Sequence, residues 1–207
     1  MTPELPPFYL ILDGTTHLEA CLEVGLRLVQ LRIKDRPLSV IREEIARAKH
    51  LCDAYGAILV INDYWQMACE IGCGWVHLGQ EDLDHADLTQ IRRAGVRIGL
   101  STHNEAELTR ALALTPDYIA LGPIYETKLK KMTCAPQGLD KIRVWKDRIS
   151  PLPLIAIGGL TPARLPGVLN AGADVACVVT DVITAPDPVA RCRLWLERAS
   201  EAQYVAL

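Results

Sequence analysis

The chain lacks any apolar run approaching the ~20 residues that a membrane-spanning helix needs. Its first residues, MTPELPPFYLILDG, carry no basic region ahead of their apolar segment. A bilayer span and export are therefore both unexpected, and Pro6-Pro7 reads as a lead-in to a strand. A basic excess is also missing: 22 Lys and Arg against 25 Asp and Glu give a formal charge of −3. Nucleic-acid and membrane-surface binders usually show the opposite balance, so neither partner is expected. No Ser-His-Asp arrangement, P-loop or Gly-rich dinucleotide turn occurs. A disulfide framework is absent as well. The seven cysteines, Cys21, Cys52, Cys69, Cys73, Cys134, Cys177 and Cys192, are odd in number and scattered, which fits a reducing, cytoplasmic setting. Cys69, Cys73 and His77 are evenly spaced, but the element changes from helix to strand before His77 and no fourth ligand follows. Buried thiols acting as small hydrophobes explain them better than zinc does.

What the chain does have is a repeated pattern. Half of its 207 residues are hydrophobic, enough for a sizeable core. Short apolar runs begin at Phe8, Leu28, Ile58, Trp75, Val96, Tyr118, Leu154 and Val175, each followed by a helix-length segment. Strands so apolar are buried on both faces. Eight strand–helix pairs at intervals of roughly 26 residues predict an α/β fold, a single-domain (β/α)8 TIM barrel over 1–207, in preference to an open doubly wound sheet. Helices are expected over Thr15 to Gly25, Leu38 to Tyr55, Tyr64 onward, Ala86 to Ala94, Asn104 to Leu114, Leu139 to Arg148, Thr161 to Asn170 and Pro186 to Ala199. The tail from Gln203 to Leu207 is expected to be extended, either disordered or laid along a contact in a homo-oligomer.

Active sites of such barrels form at the C-terminal ends of the strands. The unusual polar residues fall there: Gln30, Arg32 and Lys34, which share one face at period two; Asn62 and Asp63; Gln80 and Asp82; Ser101, Thr102 and His103; Thr127, Lys128, Lys130 and Lys131; Gly158 and Gly159; and Thr180. Asp63 and Asp82 end neighbouring parallel strands, about 4.8 Å apart. Carboxylates that close repel unless a cation lies between them, and magnesium is the economical choice. Helix and turn capping is the competing explanation for both. The long loop after the sixth strand, with its three lysines, suits a polyphosphate or is a solvated surface loop. Gly158-Gly159, with Val179-Thr180, suggests a monophosphate site or simply permits a tight turn. Asp181 is an awkward neighbour for a phosphate and is expected to point away or to cap. His77 and His103 are candidate proton carriers or hydrogen-bonded structural residues.

Taken together, YLILD near the start, VQLRIKD at 29–35, INDYW at 61–65, GWVHLGQEDL at 74–83, IGLSTH at 98–103, DYIALGPIYET at 117–127, KKMTCAPQGL at 130–139, IAIGGLT at 155–161 and AGADVACVVTDVI at 171–183 resemble the thiamine phosphate synthase family. The resemblance implies a (β/α)8 barrel that joins two small-molecule substrates, hydroxymethylpyrimidine diphosphate and a thiazole phosphate, releasing diphosphate with magnesium. It implies that Asp63 and Asp82 hold Mg2+. Gln30, Arg32, Lys34, Asn62 and Lys130 would surround the pyrimidine diphosphate, and Ser101 would lie near the reacting groups. Thr127 would bind the thiazole phosphate, with Gly159, Val179 and Thr180 completing that site. Ser101, Lys130 and Arg32 are the expected catalytic set. Leu129 replaces a hydroxyl residue usual in the family's loop, and Asp181 a small residue, so weakened phosphate binding is expected. A thiazole phosphate tautomerase and a non-catalytic regulatory barrel of the same superfamily are the alternatives.

Overall fold

The computed structural model describes residues 4–127 and 135–205. Eight strands, β1 (Phe8–Leu12), β2 (Leu28–Leu31), β3 (Ile58–Asn62), β4 (Trp75–Leu78), β5 (Arg97–Thr102), β6 (Tyr118–Leu121), β7 (Leu154–Ile157) and β8 (Val175–Val178), close into a parallel barrel in sequence order. The seam joins β8 to β1, with Phe8 opposite Ala176. Around it lie α1 (Leu18–Glu23), α2 (Leu38–Ala54), α3 (Trp65–Ile71), α4 (Leu88–Arg93), α5 (Glu105–Ala113), α6 (Gly138–Ile149), α7 (Leu165–Asn170), α8 (Thr180–Ile183) and α9 (Pro188–Val205). The expected (β/α)8 barrel is therefore present. Among the described residues no helix is long and apolar enough to cross a membrane.

Because side chains alternate along a strand, each strand serves two cores. One set, including Phe8, Leu10, Val29, Ile61, Val76 and Leu100, packs outward against the helices together with Trp145 and Trp195. The other set, including Tyr9, Leu28, Val60, Trp75, Tyr118 and Ile155, fills the barrel. Phe8 stacks on Trp195 with ring centroids 5.4 Å apart, which fastens α9 to β1.

Several element boundaries differ from expectation, and one helix is additional. A 3-10 turn at Asp82–Asp84 precedes α4, and the helix itself waits until the Asp87 carboxylate accepts a hydrogen bond from the Gln90 N–H at 2.9 Å. This is an ordinary N-cap, so the helical pattern from Ala86 starts two residues late. Helix α7 begins at Leu165 rather than Thr161, because Thr161 to Arg164 is spent on a turn closed by Arg164 N–H to Thr161 O, 2.9 Å. Helix α8 is additional, an extra turn after β8. Residues 203–205 continue α9 as helix instead of extending as a tail.

Candidate active site

Asp63 follows β3 directly in a left-handed conformation, φ 65°. Asp and Asn tolerate that region better than most residues, and strained backbone of this kind clusters at functional sites. The conformation is held from both sides: Asp63 N–H donates to His77 O at 3.0 Å, and Trp65 N–H donates to Asp63 O at 2.7 Å. The capping explanation for Asp63 does not hold, since the residue at the start of α3 is Tyr64 and no side chain caps it. Asp82 opens the turn after β4, where its Oδ2 accepts from Gly79 N–H at 3.0 Å. Gly79 is required by that approach, because a Cβ there would lie 2.9 Å from the same oxygen.

The two carboxylates come near enough, on neighbouring parallel strands, for the charge of Asp63 to act on Asp82. Burial first, and then the charge of Asp63, push the Asp82 carboxyl above the usual carboxylate range, while Gly79 and Lys34 oppose the shift. Lys34 reaches across from β2 and pairs with Asp63 Oδ2. A raised carboxyl acid beside a second carboxylate marks a place where added positive charge is favoured. No group of three or more His, Cys, Asp or Glu able to hold a metal occurs among the described residues. A pair of carboxylates is a donor set that fits magnesium, an ion that keeps several waters and takes one or two carboxylates together with substrate phosphates.

Below the pair, a line of hydrogen bonds crosses the barrel interior. Gln30 Nε2 donates to Tyr9 Oη at 2.8 Å, Tyr9 Oη lies 3.3 Å from Tyr118 Oη, and Tyr118 Oη lies 2.8 Å from His77 Nδ1. His77 Nε2 ends the line 2.7 Å from Ser101 Oγ. Gln30 is 2% exposed and His77 9%. Burial pushes the His77 imidazole down to about 4, so it is neutral near pH 7 and cannot act as an imidazolium acid there. His103 takes the structural role. Its ring and its backbone N–H both bond Glu107 Oε2 at 2.8 Å, while Asn104 Oδ1 accepts from Glu107 N–H and so caps α5. Gln80 donates to Ser101 O at 2.7 Å, and its buried Oε1 has no hydrogen-bond partner among the described residues.

The other expected residues are placed as follows. Arg32 is exposed just past β2, Asn62 is buried at the end of β3, and Thr127 is half-buried after β6. Lys128, Leu129, Lys130 and Lys131 lie outside the described residues. Gly158 and Gly159 have φ 99° and 66°, and both need to be glycine because the chain after β6 presses on them. A Cβ on Gly158 would lie 2.6 Å from Pro123 Cα, and one on Gly159 would collide with Glu126 O. Val179 and Thr180 stand half-buried at the start of α8, in the position where barrels commonly take a phosphate. Asp181 does point away: Trp195 Nε1 donates to its Oδ2 at 2.7 Å and Arg191 pairs with it at 3.2 Å. Cys69, Cys73 and His77 form no common site, and burial raises the Cys73 thiol to about 11.

Sequence reasoning missed Tyr9, Tyr118 and Gly99. A Cβ on Gly99 would overlap the Tyr118 ring, so the glycine leaves the space that this ring fills. The available signal was tyrosine at inward-facing strand positions, where a hydroxyl has to find a partner.

The fold and rim together define a (β/α)8 barrel whose polar groups gather at the C-terminal ends of its strands. Sequence comparison narrows that class. A family model described as thiamine monophosphate synthase matches residues 9–182, and the chain belongs to that family. It is 56% identical over 192 residues to a Rhizobium etli protein named thiamine-phosphate synthase, covering 93% of this chain and 94% of that one. It is 43% identical to a Serratia proteamaculans protein of the same name, with 100% and 93% coverage. Among solved structures, thiamine phosphate pyrophosphorylase from Pyrococcus furiosus superposes with a TM-score of 0.85 at 24% identity, covering 95% of this chain and 96% of that one, which supports the fold.

Proposed function

We propose that the whole chain acts as one barrel domain and is a thiamine phosphate synthase: a transferase that condenses hydroxymethylpyrimidine diphosphate with hydroxyethylthiazole phosphate, releasing diphosphate. The observation that carries this reading is the meeting of Asp63, Asp82 and Lys34 at one side of the rim in a chain of this family. Asp63 and Asp82 are the residues that would hold Mg2+, and the ion would supply positive charge to the diphosphate as it leaves. Arg32, Lys34 and Lys130 bind and neutralise the same group, with Gln30 and Asn62 beneath the pyrimidine. Ser101 stands next to the reacting carbon. Thr127, Gly159, Val179 and Thr180 take the thiazole phosphate.

The aminopyrimidine can stabilise a positive methylene carbon, so a dissociative displacement is favoured, the thiazole nitrogen capturing the cation. No strong protein base is then needed, which agrees with a His77 that is neutral and a His103 that is tied to Glu107. Asp181 gives no support to the tautomerase alternative, because its carboxylate faces α9. The setting is cytoplasmic, the partners are the two small substrates, and self-association into a homo-oligomer completes the proposal.

The test is a coupling assay with both substrates, with and without magnesium, following thiamine phosphate and diphosphate. Equal release of both products, abolished by EDTA and restored by magnesium, is expected. Isomerisation or binding of the thiazole phosphate without coupling would overturn the assignment.

A further inference from the structure

The five hydrogen-bonding side chains inside the barrel come from five different strands, and their order fixes which way the protons run. A neutral imidazole has one donor and one acceptor nitrogen. Gln30 Nε2 donates to Tyr9 Oη, so the Tyr9 proton is directed to Tyr118 Oη, its other partner. The Tyr118 proton is in turn directed to His77 Nδ1. His77 therefore carries its own proton on Nε2 and donates to Ser101 Oγ. With its oxygen accepting from below, the Ser101 hydroxyl has its proton free for the rim. The opposite polarity would leave the Tyr9 proton without an acceptor unless the Gln30 amide were turned round, and it would present serine lone pairs to an anionic substrate.

We infer that Tyr118, seated on Gly99, is a positioning residue: by donating to His77 Nδ1 it holds the imidazole in the Nε2–H form and thereby makes Ser101 a hydrogen-bond donor to the diphosphate-bearing substrate. The inference rests on the coupling reaction proposed above. The seating is specific. The Tyr118 ring stacks on His77 with centroids 5.7 Å apart and on Trp75 at 5.8 Å, and only glycine at position 99 leaves room for it. A hydroxyl buried this deeply has to find a partner; that of Tyr118 has two, and they link the Tyr9–Gln30 pair on one side to the His77–Ser101 pair on the other.

Nitrogen-15 NMR of the imidazole in the intact protein reads the polarity directly. The expected result is a His77 proton on Nε2 and a lone pair on Nδ1. A proton on Nδ1, or on both nitrogens, overturns the inference even in a protein that couples its substrates well. A wild-type protein that fails to couple sinks the proposed function instead, so the two failures are distinct. Tyr118→Phe keeps the ring and removes the oxygen. It should release the single tautomer and lower kcat about tenfold to a hundredfold, with a smaller change in KM for the pyrimidine diphosphate. A folded Tyr118→Phe with the wild-type tautomer and full kcat overturns the inference. If that variant does not fold, the wild-type spectrum alone decides.

Discussion

The two cores are cut from the same strands, residue by residue, yet they hold different chemistry. The outer one, between sheet and helices, is built chiefly of Leu, Ile, Val and Ala. The inner one admits Gln30, Tyr9, Tyr118 and His77, each hydrogen-bonded to the next in that order. Apolar burial is non-directional, so the outer core mainly stabilises the barrel, with Trp145 and Trp195 as the members that also orient a polar partner. Buried hydrogen bonds add less net stability but permit only particular orientations, so the inner core aims what stands above it. Stability and direction are thus separated by the pleat of a strand.

The largest expected effect comes from the outer core. Trp145 is fully buried and its Nε1 donates to Thr102 Oγ1 at 3.1 Å. Trp145→Ala should lose about 3–5 kcal/mol in chemical denaturation, with KM unchanged for whatever fraction stays folded. A loss under about 1 kcal/mol would mean that the shell collapses around the gap and that the comparison overstates its role. Asp63→Ala comes next: turnover should fall by about a hundredfold or more, while stability falls only by about 1 kcal/mol, because Ala tolerates the left-handed φ of 65° less well than Asp. Near-normal rates in the folded variant would remove Asp63 from the site. Asp181→Asn should cost about 1–2 kcal/mol of stability through the lost partner of Arg191 and leave the KM for the thiazole phosphate unchanged. A clear fall in that KM would show that the carboxylate repels phosphate after all. The smallest effect is expected from Asp82→Asn. Because the Asp82 carboxyl is raised in the folded state, ionising it opposes folding at neutral pH, and acid relieves that opposition as the group protonates. The variant should therefore melt about 1–3 °C higher than metal-free wild type at pH 7, while near pH 3 the difference should vanish. A lower melting point at pH 7 would show that the carboxylate pair is not repulsive.

The strands were legible because a strand buried on both faces leaves an unbroken apolar run, and Leu28–Leu31, Trp75–Leu78, Tyr118–Leu121 and Leu154–Ile157 match the sequence reading residue for residue. Helix ends were less legible, because a single side chain such as that of Asp87 moves the start of a helix by two residues. The four residues of α8 are too few to show any periodicity. The meeting of Asp63 with Asp82 followed from topology alone. The inner line did not: Tyr9 and Tyr118 are 109 residues apart, and nothing local marks either as the other's partner. Asp181 looked misplaced for the same reason, since Trp195 and Arg191, which account for it, lie on the last helix.

The close fit of Gly158 and Gly159 against Pro123 to Glu126 also bears on how such a barrel can be altered. Tyr125 N–H donates to Gly158 O at 3.0 Å, and Ile124 N–H donates to Ile157 O at 2.9 Å. The segments after β6 and β7 are thus interlocked through backbone hydrogen bonds and close backbone contact. A chimera that exchanges one of these segments with a distant relative and keeps the other inherits a mismatched pair. Exchange points on either side of both, near Thr115 and Asn170, leave the interlock intact, and recombination within the family should be tolerated there before it is tolerated between them.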